Sequence, residues 1–211
     1  MARRALRIRR SSFAPRLIVM AKSPLAGLAK RRLAKGVGQA EAVRFYRACL
    51  SHTVMRLSGD ARWQTLLAVT PDADLAAPFW PSGIPRLPQG RGDLGRRMQS
   101  LFDRLPPGPA IVIGSDIPGI RRHHIAVALS LLGNADAVLG PAKDGGYWVI
   151  GLRRRPRVLR PFAGVRWSSP HALADTLKNL SENSVVFAAA LSDVDGAETY
   201  RNAQAKAARL I

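Results

Sequence analysis

A chain of 211 residues, 47% of them apolar, is long enough to bury one core and too apolar to be disordered throughout. Its single cysteine, Cys49, excludes an intrachain disulfide and suits a reducing, cytoplasmic setting, and no apolar run reaches the ~18 residues that a membrane span needs. The formal charge of +19 is unevenly placed: residues 1–40 carry eleven basic side chains and no acid, and six of the eleven are arginines within the first sixteen positions.

Residues 1–15 read as a solvated basic tail ahead of one domain over 16–211. A nucleic-acid or anionic-surface tether is the weaker reading, because no nucleic-acid motif is present and aromatic residues are sparse. The branched apolar run Leu17 to Ala21 predicts a buried strand, and Lys22 to Gly38 a loop. Val43, Tyr46, Leu50, Val54 and Leu57 recur at helical spacing and predict a helix from Gln39 to Leu57, with Cys49 a small core residue beside that face. A strand over Trp63 to Thr70 follows, then proline-rich chain with a short strand near Ile84 to Leu87. Leu94, Met98, Leu101 and Leu105 predict a helix, Ala110 to Ser115 a strand, and Arg121 to Leu132 a helix whose first turn exposes His123 and His124. Strands over Ala135 to Gly140 and Gly146 to Leu152 are joined by a turn-rich link, which implies one antiparallel pairing. Ser169-Pro170 opens a helix to Leu180, Val185 to Leu191 is a last strand, and Asp195 leads into a final helix. Strands that alternate with helices predict a mostly parallel sheet in a three-layer α/β/α domain.

In such a sheet, ligands lie beyond the carboxyl ends of the strands. Three strand ends here carry charge or glycine. The first leads into Lys22, Gly27, Lys30 and Arg32: glycine lets backbone approach closely, and the cations can neutralise phosphates. This is not a Walker A spacing, and a solvated basic loop fits the spacing as well. The second is Asp116, at the end of a buried strand, where a carboxylate is costly unless it is paired or binds a cation; a turn aspartate before proline is its structural alternative. The third is Asp144-Gly145-Gly146-Tyr147-Trp148, with Asp144 either a site base, acceptor or metal partner, or a turn residue. Asp195 is a second metal ligand or, with Glu198, a helix capping box. Trp148 and Trp167 either line an acceptor pocket, with Tyr147, or pack in the core. None of the four histidines has zinc-type spacing, and no Gly-x-Ser-x-Gly elbow supports covalent hydrolase chemistry.

The segments beginning at Lys22, Gly92-Asp93-Leu94-Gly95-Arg96-Arg97-Met98, Gly114-Ser115-Asp116-Ile117-Pro118, Gly140 through Tyr147, and Trp167-Ser168-Ser169 resemble, in this order, a bacterial family of glycosyltransferase-like proteins. Some of its members are called radical-SAM/selenodomain-associated transferases, and the phospholactate guanylyltransferases are distantly similar. The resemblance spans about residues 16 to 205. It implies the nucleotide-diphospho-sugar transferase (glycosyltransferase A) fold. It places a nucleotide's phosphates on Lys22, Lys30 and Arg32, and its base near Gln89 and the Gly92 to Gly95 segment, Asp93 included. It assigns Mg²⁺ or Mn²⁺ to Asp116 and Asp195. In the second carboxylate position of the family's Asp-x-Asp stands Pro118. The expected reaction is metal-dependent glycosyl transfer from a nucleotide-sugar to a small-molecule acceptor, with Asp144 deprotonating or orienting the acceptor. The alternatives are nucleotidyl transfer from a nucleoside triphosphate to a small phosphorylated acid, and, in another class, a basic non-catalytic nucleic-acid-binding protein.

Overall fold

The computed structural model describes residues 14–25, 27, 31–155, 157–191 and 200. Seven strands form one sheet: β1 (Arg16–Lys22), β2 (Gln64–Thr70), β3 (Arg86–Pro88), β4 (Ala110–Gly114), β5 (Ala137–Pro141), β6 (Tyr147–Leu152) and β7 (Val185–Phe187). Their order is β3-β2-β1-β4-β6-β5-β7. All neighbouring pairs are parallel except those of β6, which runs antiparallel to both β4 and β5. The helices are α1 (Arg31–Val37), α2 (Gln39–Ser58), α3 (Leu94–Arg104), α4 (Arg122–Leu131) and α5 (Ala172–Lys178).

Successive side chains of a strand point to opposite faces, and the sequence of β1 shows what that builds. Leu17, Val19 and Ala21 enter one core with Leu50, Val54 and Leu57 of α2 and Ile125 and Ala128 of α4. Ile18 enters the other, with Met98, Leu101 and Phe102 of α3, while Leu173 and Leu177 of α5 pack on its rim. The strand is therefore apolar on both faces because helices cover both. This is the three-layer α/β/α fold that the alternation of elements predicts. Leu17, Ile18, Leu67, Ile111, Val138 and Val149 are all buried.

Asp93 caps α3, its Oδ1 accepting from Arg96 N–H at 2.7 Å, a role that the sequence reading does not give it. One local signal acts as read. Cys49 is buried in the face that α2 turns inward. Three readings need correction. The basic loop expected over Lys22 to Gly38 contains α1, a short helix anchored by the fully buried Leu33, which joins Ala42 and Tyr200 in a small third cluster. One buried leucine in seven residues makes no periodic pattern, so that helix rests on tertiary contact. The helix expected from Ser169-Pro170 starts instead at Ala172. Ser169 Oγ accepts from His171 N–H at 3.2 Å and donates to Arg166 O at 2.6 Å, holding a turn ahead of the helix. His124 is half-buried rather than exposed: its Nδ1 accepts from Arg121 N–H at 3.0 Å and its ring lies 6.1 Å from that of Trp148. Lys30 and Asp195, and the start of the final helix, lie outside the described residues.

Candidate active site

The register decides which loops meet. Lys22 pairs with Thr70, Val69 with Pro88, Met20 with Gly114, and Pro141 with Tyr147. The ends of β1 to β5 and the start of β6 therefore share one edge. That edge carries Lys22 to Pro24, the turn at Pro71 to Asp74, Gln89 to Asp93, Ser115 and Asp116, and the Asp144 loop.

Hydrogen bonds tie these loops together. The Tyr46 hydroxyl, reaching up from α2, accepts from Lys22 N–H at 2.9 Å, lies 3.1 Å from Lys22 O and sits 3.0 Å from Ser115 Oγ. One phenol thus fixes the end of β1 against the end of β4, beside Asp116. Ser23 N–H donates to Thr70 O at 2.8 Å, and the Ser23 hydroxyl bonds the Asp74 carboxylate. Gln89, only 2% exposed, donates from Nε2 to Ala21 O at 3.1 Å and Ala68 O at 2.9 Å, while its Oε1 accepts from Arg97 at 3.0 Å. With both ends of its amide engaged, Gln89 braces β1, β2 and α3 under the edge, and its side chain is not presented to a base. Gly90 N–H donates to Asp72 Oδ1 at 3.1 Å, and Gly90 and Gly92 have φ of 80° and 101°. Two left-handed glycines so close together make a turn that other residues enter only with strain. Asp93 contributes its carboxylate to the α3 cap rather than to the open edge.

Asp116 is half-buried directly after β4. A Cβ on Gly114 would sit 2.8 Å from its Oδ1, so glycine leaves the space in which this carboxylate lies. Lys22, Gly27 and Arg32 are exposed around the same edge. Asp144 is exposed, and its Oδ1 accepts from Gly146 N–H at 3.0 Å, the bond of a turn aspartate. Gly145, with φ of 82°, packs so closely on Pro170 that a Cβ would meet its carbonyl oxygen at 2.3 Å. The Asp144 loop is thereby pinned to the segment ahead of α5, and Leu173 N–H donates to Gly145 O at 3.0 Å.

The expected acceptor wall is packed. Trp148 is 4% exposed and donates from Nε1 to Ala189 O at 2.8 Å. It serves the core, because Gly140 leaves its ring the room: a Cβ there would lie 2.3 Å from Nε1. Tyr147 and Trp167 lie edge to face at 6.4 Å, and Gly95 receives the Trp167 ring, with 2.8 Å left for a Cβ. Burial pushes the Tyr147 phenol well above its ordinary pKa, so it stays protonated. Tyr46, Ser23 and Ser115 are the positioning residues that sequence reading passed over. Tyr46 sat on the apolar face of its helix, and only its hydroxyl signalled another task.

Asp116 is a hard oxygen donor, the type of ligand that divalent cations take. Among the described residues, no group of three or more His, Cys, Asp or Glu side chains could by itself hold a metal ion. A cation held here would be of the kind completed by one carboxylate, phosphate oxygens and water, which suits Mg²⁺. No helix among the described residues is long and apolar enough to cross a membrane.

Comparison with known proteins agrees with the fold. The chain is 31% identical over 159 residues to 2-phospho-L-lactate guanylyltransferase of Methanopyrus kandleri, covering 74% of each chain. A solved structure from Desulfovibrio desulfuricans G20, named as a candidate nucleotide-diphospho-sugar transferase, superposes with a TM-score of 0.78 at 29% identity, covering 87% of this chain and 83% of that one. CMP:2-keto-3-deoxy-manno-octonic acid synthetase, solved with CTP, shares the fold alone, with a TM-score of 0.59 at 14% identity over 93% of this chain and 99% of that one. Residues 53–169 match the model of a family described as "Uncharacterized protein conserved in bacteria (DUF2064)", and the chain belongs to that family.

Proposed function

We propose that the chain is a nucleotidyltransferase that moves a nucleoside monophosphate from a nucleoside triphosphate to the phosphate of a small acid. The observation that carries this reading is the similarity to a guanylyltransferase over three quarters of the chain, joined to a strand-end edge where Lys22 is exposed at the end of β1 and Asp116 stands just beyond β4. In this reaction an acceptor phosphate oxygen forms a bond to the α-phosphorus, the bond from that phosphorus to the bridging oxygen of the β-phosphate breaks, and pyrophosphate leaves. The nucleophile is already ionised at neutral pH, so the reaction needs no general base, and Asp144 is left to its turn.

The chain's task is then to place charge. Lys22, Arg32 and, outside the described residues, Lys30 neutralise the triphosphate. Tyr46 and Ser23 hold the β1 end in place for them. Asp116, with Asp195 as its expected partner, would hold Mg²⁺ or Mn²⁺, which would offset phosphate charge. The left-handed glycines at 90 and 92 leave backbone open beside the base. Glycosyl transfer from a nucleotide-sugar is the second reading, favoured by the Desulfovibrio relative, and there Asp144 would serve the acceptor.

One assay separates the two. The full chain is incubated with each nucleoside triphosphate or nucleotide-sugar, small phosphorylated acids and Mn²⁺, and the released product is identified. Pyrophosphate that depends on the acceptor supports nucleotidyl transfer. Release of nucleoside diphosphate from nucleotide-sugars alone would reverse the assignment.

A further inference from the structure

The opposite edge of the sheet holds a second concentration of positive charge. There β6 ends at Leu152 and runs into Arg153-Arg154-Arg155, with Arg157 and Arg160 close behind. A cavity of about 320 Å³ opens among Asp136, Arg153, Arg154, Arg155, Arg157 and Asn183. Asp136 is the single acid in this wall, and it is occupied: it bonds Arg153 at 2.6 Å and Ser184 N–H at 3.1 Å. Arg154 is 5% exposed and donates to Leu105 O, Pro106 O and Gly108 O at 2.6 to 2.9 Å. Its Nε and that of Arg153 are buried with no hydrogen-bond partner. Arg154 also has φ of 59°, a left-handed conformation that is uncommon outside glycine and clusters at ligand clamps.

Next to it lies a second buried guanidinium. Arg16 is 0% exposed and donates to Ala14 O at 3.1 Å and to Pro106 O and Pro107 O at 3.3 Å. Two like charges therefore crowd one set of carbonyls, and burial together with Arg16 pulls the Arg154 guanidinium down to about 10, against the opposing pull of Asp103. Carbonyl dipoles satisfy geometry but carry no net charge, and in the cavity wall the one acid, Asp136, faces Arg153, Arg154, Arg155 and Arg157. The chain enters β1 at the same edge, and the sequence ahead of Ala14 holds five more arginines, at positions 3, 4, 7, 9 and 10.

We propose that this cavity is a second anion site, separate from the strand-end edge, that takes a small phosphate-bearing molecule. Its volume equals roughly ten water molecules at about 30 Å³ each, enough for a phosphate and a short carbon chain. Phosphate fits better than carboxylate, because it offers acceptors in three dimensions to guanidinium forks from several directions.

The test titrates the full chain with inorganic phosphate in low-salt buffer by calorimetry, and follows the arginine Nε–H resonances by NMR. Wild type and Asp116→Ala are expected to bind saturably, with the Arg153 and Arg154 Nε–H signals shifting together. Arg155→Ser/Arg157→Ser and, separately, Asn183→Asp are expected to weaken that binding by about tenfold or more. Two variants are used so that one folded protein, verified by circular dichroism, decides the matter. Undiminished binding in a folded cavity variant overturns the proposal. So does unmoved Nε–H signal at saturation, which leaves an adventitious ion only. A double variant that loses a single-stranded RNA homopolymer yet keeps phosphate also overturns it, in favour of a polyanion surface. Because no turnover is read, failure of the nucleotidyltransferase assignment leaves these outcomes unchanged.

Discussion

Where the parallel strands end, Lys22 is exposed, as is Arg32 of α1, and neutral groups make many of the bracing bonds: the Tyr46 phenol, the Ser23 and Ser115 hydroxyls, the Gln89 amide. At the opposite edge Arg155 and Arg157 are exposed as well, but two further arginines are not. There Arg16 and Arg154 are buried and knit the chain around residues 105–108, taking up its carbonyls. The same residue type thus serves as an exposed charge in one place and as a structural clamp in another. What separates the two is burial. A guanidinium in water keeps its field for a ligand, whereas one enclosed among carbonyls gives up its hydrogen bonds to the backbone.

This comparison can be broken by substitution. The largest effect is expected at Asp116. Asp116→Ala should lower turnover by roughly a thousandfold, about 4 kcal/mol in the barrier, and leave the melting temperature nearly unchanged. A purely structural Asp116 would show the opposite, a lowered melting temperature with activity kept by the folded fraction. Arg154→Met is its counterpart at the other edge. It strips the carbonyls of Leu105, Pro106 and Gly108 of a donor, so denaturant unfolding should register a loss of about 3 kcal/mol, with kcat per folded molecule unchanged. Intact stability would mean that these carbonyls find water and that the clamp is dispensable.

Tyr46→Phe sharpens the picture, because it removes one hydroxyl from the neutral bracing of the ligand edge. It should cost about 1–2 kcal/mol of stability and raise KM for the nucleotide more than it lowers kcat, through the displaced Lys22. The smallest effect concerns pH. His124 lies half-buried, with His123 and Arg121 nearby, and all three influences hold its pKa below the ordinary imidazole value. The unfolded chain therefore binds this proton more readily than the folded one. Stability should fall as pH drops below about 6.5 and level off once the folded imidazole is also protonated. Equilibrium unfolding at pH 7.5 and at pH 5 should show a decline that His124→Gln removes, since Gln can still accept from Arg121 N–H.

Much of this organisation is legible in the chain. The apolar run of β1, the helical spacing in α2 and α3, and the alternation of elements are direct prints of side-chain period, which local geometry sets. The turn around Asp144 follows from short-range hydrogen bonding and was among the alternatives open at the sequence level; the cap at Asp93 is equally local but was passed over. The acceptor wall reads differently in three dimensions. Tyr147, Trp148 and Trp167 have partners distant in sequence: Gly95 for one tryptophan, Gly140 and Ala189 for the other. Whether a ring faces a ligand or a glycine depends on what another strand or helix brings opposite it, and period does not contain that information.

Alone, then, the order of residues determined the layers, the parallel sheet with its one reversed strand, and the positions where charge interrupts apolar chain. These follow from local period and from the rule that apolar faces must be covered. Only the tertiary structure decided which of those charges meet. The placement of β6 between β4 and β5 carries Arg153 and Arg154 to the edge away from Asp116, and the reach of Tyr46 to Ser115 joins helix α2 to a strand end 69 residues further on. Both depend on non-local strand order, which is selected by the packing of the whole core and is written in no single segment.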